Sequence, residues 1–101
     1  MDIFNNFIAE NNFEYHLISG NRLVVITAVD SDGNNKMECY DERFFTLWEV
    51  TPPVYNFQKG NRFVGLHFHE KANSYSVNDF NGVRYWFSLE TGEIYDKDFV
   101  K

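Results

Sequence analysis

The strongest constraint on this chain is a turn dipeptide. Asn81-Gly82 stands between two alternating apolar runs, Ser74–Phe80 and Val83–Leu89. Asn-Gly is the preferred centre of a type I′ hairpin, whose twist matches that of paired strands. Pairing Phe80 with Val83 sets Asp79 opposite Arg84 and Val77 opposite Trp86, sensible cross-strand partners. One face then carries Phe80, Val83, Tyr85, Phe87 and Leu89, and the other carries Tyr75, Val77, Arg84 and Trp86. The same pattern occurs earlier: Gly20-Asn21 suits a type II′ turn between Phe13–Ile18 and Leu23–Val29. That register pairs Ile18 with Leu23 and gathers Phe13, Tyr15, Leu17, Val24, Ile26 and Ala28 on one face.

Further strands are expected at Lys36–Tyr40, Phe44–Val50, Arg62–His69 and, after Thr91-Gly92, Glu93–Tyr95. Thr51-Pro52-Pro53 must end the fourth strand, because two prolines cannot both sit in a ladder, so 52–60 forms the longest loop. Before Asn12 the period is helical: Ile3, Phe4, Phe7 and Ile8 form one stripe, which Asp2 is placed to cap. The stripe reads as cover for a sheet rather than a membrane anchor, since its short face has no Lys or Arg. No repeat or linker divides the chain. These elements predict a single α+β domain over 1–101, mainly antiparallel β. A short helix within 1–12 precedes a seven- or eight-stranded meander over 13–101, curled into a half-barrel or barrel.

Composition removes several functions. Nine basic residues against 15 acidic ones leave a net charge of −6, and no Lys/Arg cluster is present to neutralise phosphates, so nucleic-acid binding is not expected. One cysteine, Cys39, excludes a disulfide scaffold and an all-Cys metal cage. It suits a reducing cytoplasm and reads as a buried small hydrophobe. No apolar run approaches the roughly 20 residues of a membrane span. The opening residues lack the basic start and cleavage site of a signal peptide. A soluble cytoplasmic domain is expected.

Few residues are placed for chemistry. No Ser, Cys or Thr sits in a nucleophile elbow, and no Gly-rich loop precedes a helix to cradle phosphate. In the strand Arg62–His69, alternation puts Phe63, Gly65, His67 and His69 on one face. Imidazoles at i and i+2 lie about 7 Å apart there, close enough for a shared ligand if a third group arrives. With Trp86, this face is the alternative site, for a small ligand or an enzymatic function. No fixed third ligand is visible, so no metal or cofactor is expected. Asp30-Ser31-Asp32-Gly33-Asn34-Asn35-Lys36 has the oxygen spacing of a calcium loop. Asn35 and Asp41, however, hold the positions where an EF-hand wants Gly and Glu, so a hairpin loop explains the same residues.

The remaining signal is charge beside aromatics. From Asp30 to Glu49 the balance is −4, through Asp30, Asp32, Glu38, Asp41, Glu42 and Glu49 against Lys36 and Arg43. From Glu90 to Asp98 it is −3, through Glu90, Glu93, Asp96 and Asp98 against Lys97. Carboxylates on a rigid scaffold can occupy a field built for phosphates, and Trp and Tyr are favoured anchors at protein interfaces. In length, acidity and helix-plus-sheet layout the chain resembles the small acidic immunity proteins of bacterial polymorphic and contact-dependent inhibition toxin systems. Those proteins share no motif, so no residue role is carried over. The resemblance implies a non-catalytic inhibitor that blocks the basic active-site cleft of a cognate toxin domain, a nuclease. Asp30, Asp32, Asp41, Glu42 and Glu49 are the first candidates for steering, with Trp48, Tyr55 and Phe57 as anchors. Glu90, Glu93, Asp96 and Asp98 are the second set.

Overall fold

The computed structural model describes residues 3–54 and 60–99. A short helix, α1 (Asn5–Glu10), is followed by strands β1 (Tyr15–Ser19), β2 (Arg22–Ile26), β3 (Met37–Tyr40), β4 (Thr46–Val50), β5 (Phe63–His69), β6 (Ser74–Asp79), β7 (Val83–Phe87) and β8 (Ile94–Phe99). Every pairing is antiparallel between sequence neighbours. The strands do not form one curled sheet, however. They form two four-stranded sheets, β1-β2-β3-β4 and β5-β6-β7-β8. The break falls where Thr51-Pro52-Pro53 follows β4: a ladder cannot continue through two prolines, so β4 and β5 never pair.

The two sheets bury a shared core. Val24, Ile26, Met37 and Cys39 from the first meet Phe63, Val77, Val83, Tyr85 and Phe87 from the second. The helix side covers the opposite face of the first sheet, where Phe4, Leu23 and Val25 are buried and Phe7, Ile8, Phe13 and Tyr40 pack against them. Strand β2 is therefore enclosed on both faces, which is why it reads as the unbroken run Leu-Val-Val-Ile rather than alternating. Each such aliphatic side chain contributes roughly 1.5–3 kcal/mol by leaving water. The expected helical stripe does cover a sheet, but its first helical turn has no side-chain cap: the N-cap is Phe4, and Asp2 lies outside the described residues. Ile3 is exposed.

The first hairpin has the expected register, Ile18 opposite Leu23, with Gly20 at φ 59°. The Asn81-Gly82 hairpin does not. Val77 pairs with Tyr85 and Asn78 with Arg84, one residue away from the expected register. Only Gly82 of the pair has positive φ (82°), and its N–H bonds to the Asp79 carbonyl, so the connection is a three-residue loop rather than a type I′ turn. The cause is Asp79, which is 1% exposed. Its Oδ1 accepts from Asn81 N–H and Val83 N–H, and its Oδ2 accepts from Asn61 Nδ2 and the Tyr85 hydroxyl. A slip of one residue exchanges faces. Val77 thus joins Val83, Tyr85 and Phe87 in the core, while Phe80 turns outward to 67% exposure under the Arg62 guanidinium.

The β3–β4 turn is unusual in another way. Phe44 N–H bonds to the Asp41 carbonyl and Asp41 N–H to the Phe45 carbonyl, which puts Phe44 at φ 67° where glycine is usual.

Candidate functional site

The first acidic set is divided by the fold. Asp30 and Asp32 lie in the β2–β3 connection, whereas Asp41 and Glu42 lie at the opposite end of β3. Two of these carboxylates hold their own loops. Asp30 Oδ1 accepts from Asp32 N–H and Asn34 N–H, so the calcium-like sequence is an Asx-type turn with Gly33 at φ 81°. Asp41 Oδ1 does the same for Arg43 N–H and Phe45 N–H. Glu49 sits beside Glu38 across the β3–β4 ladder, and Lys36 Nζ bridges them at 3.0 and 3.4 Å. The Glu49 bond, followed by the Glu38 charge, raises the Lys36 pKa. Tyr40 donates its hydroxyl to Glu38 at 2.8 Å. Burial, reinforced by that bond, pushes the phenol up to about 12.

The expected anchors are placed as follows. Trp48 is half-buried: its Nε1 donates to the Leu89 carbonyl at 2.8 Å, and its ring meets Phe87 edge-on at 5.8 Å. It fastens β4 to the β7–β8 turn. Tyr55 and Phe57 lie outside the described residues.

The second acidic set is brought together on one hairpin. Glu90 and Glu93 occupy the β7–β8 turn, and Asp96 and Asp98 follow along β8. Asp98 forms a two-pronged pair with Arg84, its cross-strand partner, with Nε to Oδ1 at 2.8 Å. That guanidinium holds the Asp98 carboxyl below the usual carboxylate range. Glu90, Glu93 and Asp96 make no ion pair with a described residue. Next to Asp96, Tyr95 is 60% exposed, and Phe99, at the far end of β8 opposite Val83, is 77% exposed. Sequence reasoning missed Phe99 because it ended the last strand at Tyr95. The charged run Asp96-Lys97-Asp98 hides the alternation that carries β8 on to Phe99.

The histidine face is only partly as expected. His67 and His69 share the outer face of the second sheet with Ser76 and Trp86, their rings 6.3 Å apart. Phe63 is absent from it: a register irregularity between Phe63 and Gly65 turns that ring into the core, where it is 1% exposed. The two imidazoles have separate neighbours. His69 Nε2 bonds to Ser76 Oγ at 2.7 Å, and its ring lies 4.5 Å from that of Trp86. His67 Nε2 instead lies over Gly65, at 3.0 Å from where a Cβ would be. Burial, then the Arg84 charge, lowers the His69 pKa. Among the described residues no three metal-ligating side chains converge. Cys39 is fully buried, and burial pushes its thiol up to about 11, far from nucleophilic use near neutrality. No described helix is long and apolar enough to cross a membrane. Comparison with known protein families and with curated proteins returns no match to this chain.

Proposed function

We propose that this chain is a non-catalytic cytoplasmic binding protein that blocks a basic protein partner, in the manner of small acidic immunity proteins that occupy the cleft of a nuclease toxin. The observation that carries this reading is the β7–β8 hairpin. Glu90, Glu93 and Asp96 make no ion pair with a described residue there, and the Tyr95 ring next to Asp96 is exposed. Carboxylates without a cationic partner attract a cationic cleft and accelerate encounter, and the ring then buries area that slows dissociation. The acids around β3 fit this role less well: Asp30, Asp41 and Glu49 already serve loops or an ion pair, and Asp32 and Glu42, which make no ion pair with a described residue, lie at opposite ends of β3.

The test captures the partner from the native host with the tagged full chain and measures nuclease cleavage by the captured basic domain and its association rate; capture of no basic domain overturns the reading. The triple variant Glu90→Lys, Glu93→Lys, Asp96→Lys is expected to associate at least roughly tenfold more slowly at low salt and to lose most of its salt dependence. Asp30→Lys with Asp32→Lys is expected to leave both nearly unchanged. Equal inhibition by the triple variant and the unaltered chain overturns the reading.

A further inference from the structure

The second sheet ends at β8, and no described strand pairs with its outer side. Edge strands expose unpaired N–H and C=O groups, and proteins normally shield them. Two of the other edges face each other: strands β1 and β5 pack across the layers, and Ser19 of β1 shares a hydroxyl hydrogen bond with Tyr75 of β6. Strand β4 is also an edge, but its one acid, Glu49, is already paired with Lys36. Strand β8 has a bulge near Tyr95, but from Asp96 to Phe99 its ladder with β7 is regular. All four of those residues are exposed.

We propose that the partner docks by adding a strand to the outer edge of β8, extending the second sheet to five strands. This rests on the reading of the β7–β8 hairpin as the binding site and names what it binds: an extended basic segment with Lys or Arg opposite Asp96 and apolar residues opposite Lys97 and Phe99. The pattern follows from register. Asp96 points to the outer face with Trp86 and makes no ion pair with a described residue, so its neighbour on an added strand is cationic, whereas Asp98 on the same face is already neutralised by Arg84. Lys97 and Phe99 share the core face with Tyr85 and Val83, so the neighbour of Phe99 is apolar and the neighbour of Lys97 is not a second cation. A second copy of this chain fits poorly, because each edge brings the −3 balance of Glu90–Asp98. Backbone hydrogen bonds supply affinity in such additions, and the alternating side chains supply selectivity.

The test uses the full chain and two synthetic cyclic hairpin peptides with alternating Lys and Val on the free strand. One is unmodified and the other is N-methylated at the outward amides of that strand. The unmodified peptide is expected to slow hydrogen exchange of β8 amides at least roughly tenfold, and N-methylation to weaken binding by a similar factor. Equal binding of the two peptides, still abolished by Glu90→Lys, Glu93→Lys, Asp96→Lys, overturns strand addition while leaving the acidic hairpin as the binding site. Protection at β1, β4 or β5 instead of β8 overturns it as well, as does failure of both peptides to bind. Protection of β8 by self-association alone replaces the basic partner with a second copy. Toxin inhibition is scored separately, so failure of the inhibitor reading shows there and not here.

Discussion

The Phe44 ring lies flat on that of Phe7, with centroids 4.8 Å apart and planes 11° from parallel. It reaches that position from a left-handed backbone, φ 67°, which L-residues adopt at a cost of about 1–2 kcal/mol. The turn thus trades backbone strain for a lid on the helix, since Phe44 also meets Phe4 edge-on at 6.1 Å. Comparing two truncations separates the contributions. Both Phe44→Ala and Phe44→Gly lose the stack, but only Ala retains the strain. Urea unfolding is expected to show Phe44→Gly about 1 kcal/mol more stable than Phe44→Ala, the reverse of the ordinary order in strands.

Asp79 is the polar centre of the second sheet. Its removal takes an acceptor from four donors, two backbone amides among them, in a site where Asp79 itself is 1% exposed, although Asn61 Nδ2 keeps its bond to the Pro53 carbonyl. Asp79→Ala is expected to lose roughly 3 kcal/mol or more, whereas Tyr85→Phe, which removes one donor, loses about 1 kcal/mol. Chemical denaturation measures both. The β6–β7 register should loosen in the Ala variant, visible as loss of amide protection at Val77 and Tyr85.

Gly20 and Gly92 both have positive φ, 59° and 76°, but different surroundings. A Cβ at Gly20 meets nothing within 4 Å, while one at Gly92 falls 2.5 Å from Trp48 Cε3. The indole is held by its bond to Leu89 and has little room to retreat. Gly20→Ala is expected to cost about 1 kcal/mol through backbone strain, and Gly92→Ala about 2–4 kcal/mol through strain plus overpacking. Trp fluorescence should shift in the second variant and not in the first.

His69 gives the stability a pH dependence of definite sign. Its pKa is lowered in the folded chain, first by burial and then by the Arg84 and His67 charges, with Asp98 opposing them. The unfolded chain therefore takes up a proton near the ordinary value of about 6.5, before the folded chain does. Stability falls as pH drops through that interval and is unaffected by this group above it. Replacing His69 by Gln should flatten the stability profile between about pH 7 and 5 relative to the unaltered chain, as measured by urea midpoints.

Local chemistry was legible in the sequence, and layer assignment was not. Gly20-Asn21 announced its hairpin and register because the turn residues themselves determine both. Asn81-Gly82 announced a hairpin but the wrong register, because the deciding group was a buried carboxylate, Asp79, whose partners come from Asn61 and Tyr85. Thr51-Pro52-Pro53 correctly ended a strand, yet the separation into two sheets depends on which faces meet, and β2 is apolar on both. Of the site, the acids of 90–98 were legible as a charge run. The pairing of Asp98 with Arg84 and the exposure of Phe99 depend on the strand continuing past Tyr95, which charged residues conceal from any hydrophobic pattern.

The connection of neighbour to neighbour throughout both meanders bears on how the molecule comes apart. Each sheet closes its ladders over short stretches of chain, so little loop entropy opposes either half. What joins them across sequence is side-chain interlock, including the Asn35 amide, which bonds both N–H and C=O of Phe63 as a missing strand would. Because both meanders bury one common core, opening that clasp uncovers the apolar face of each, and the two halves are expected to unfold together in a single transition.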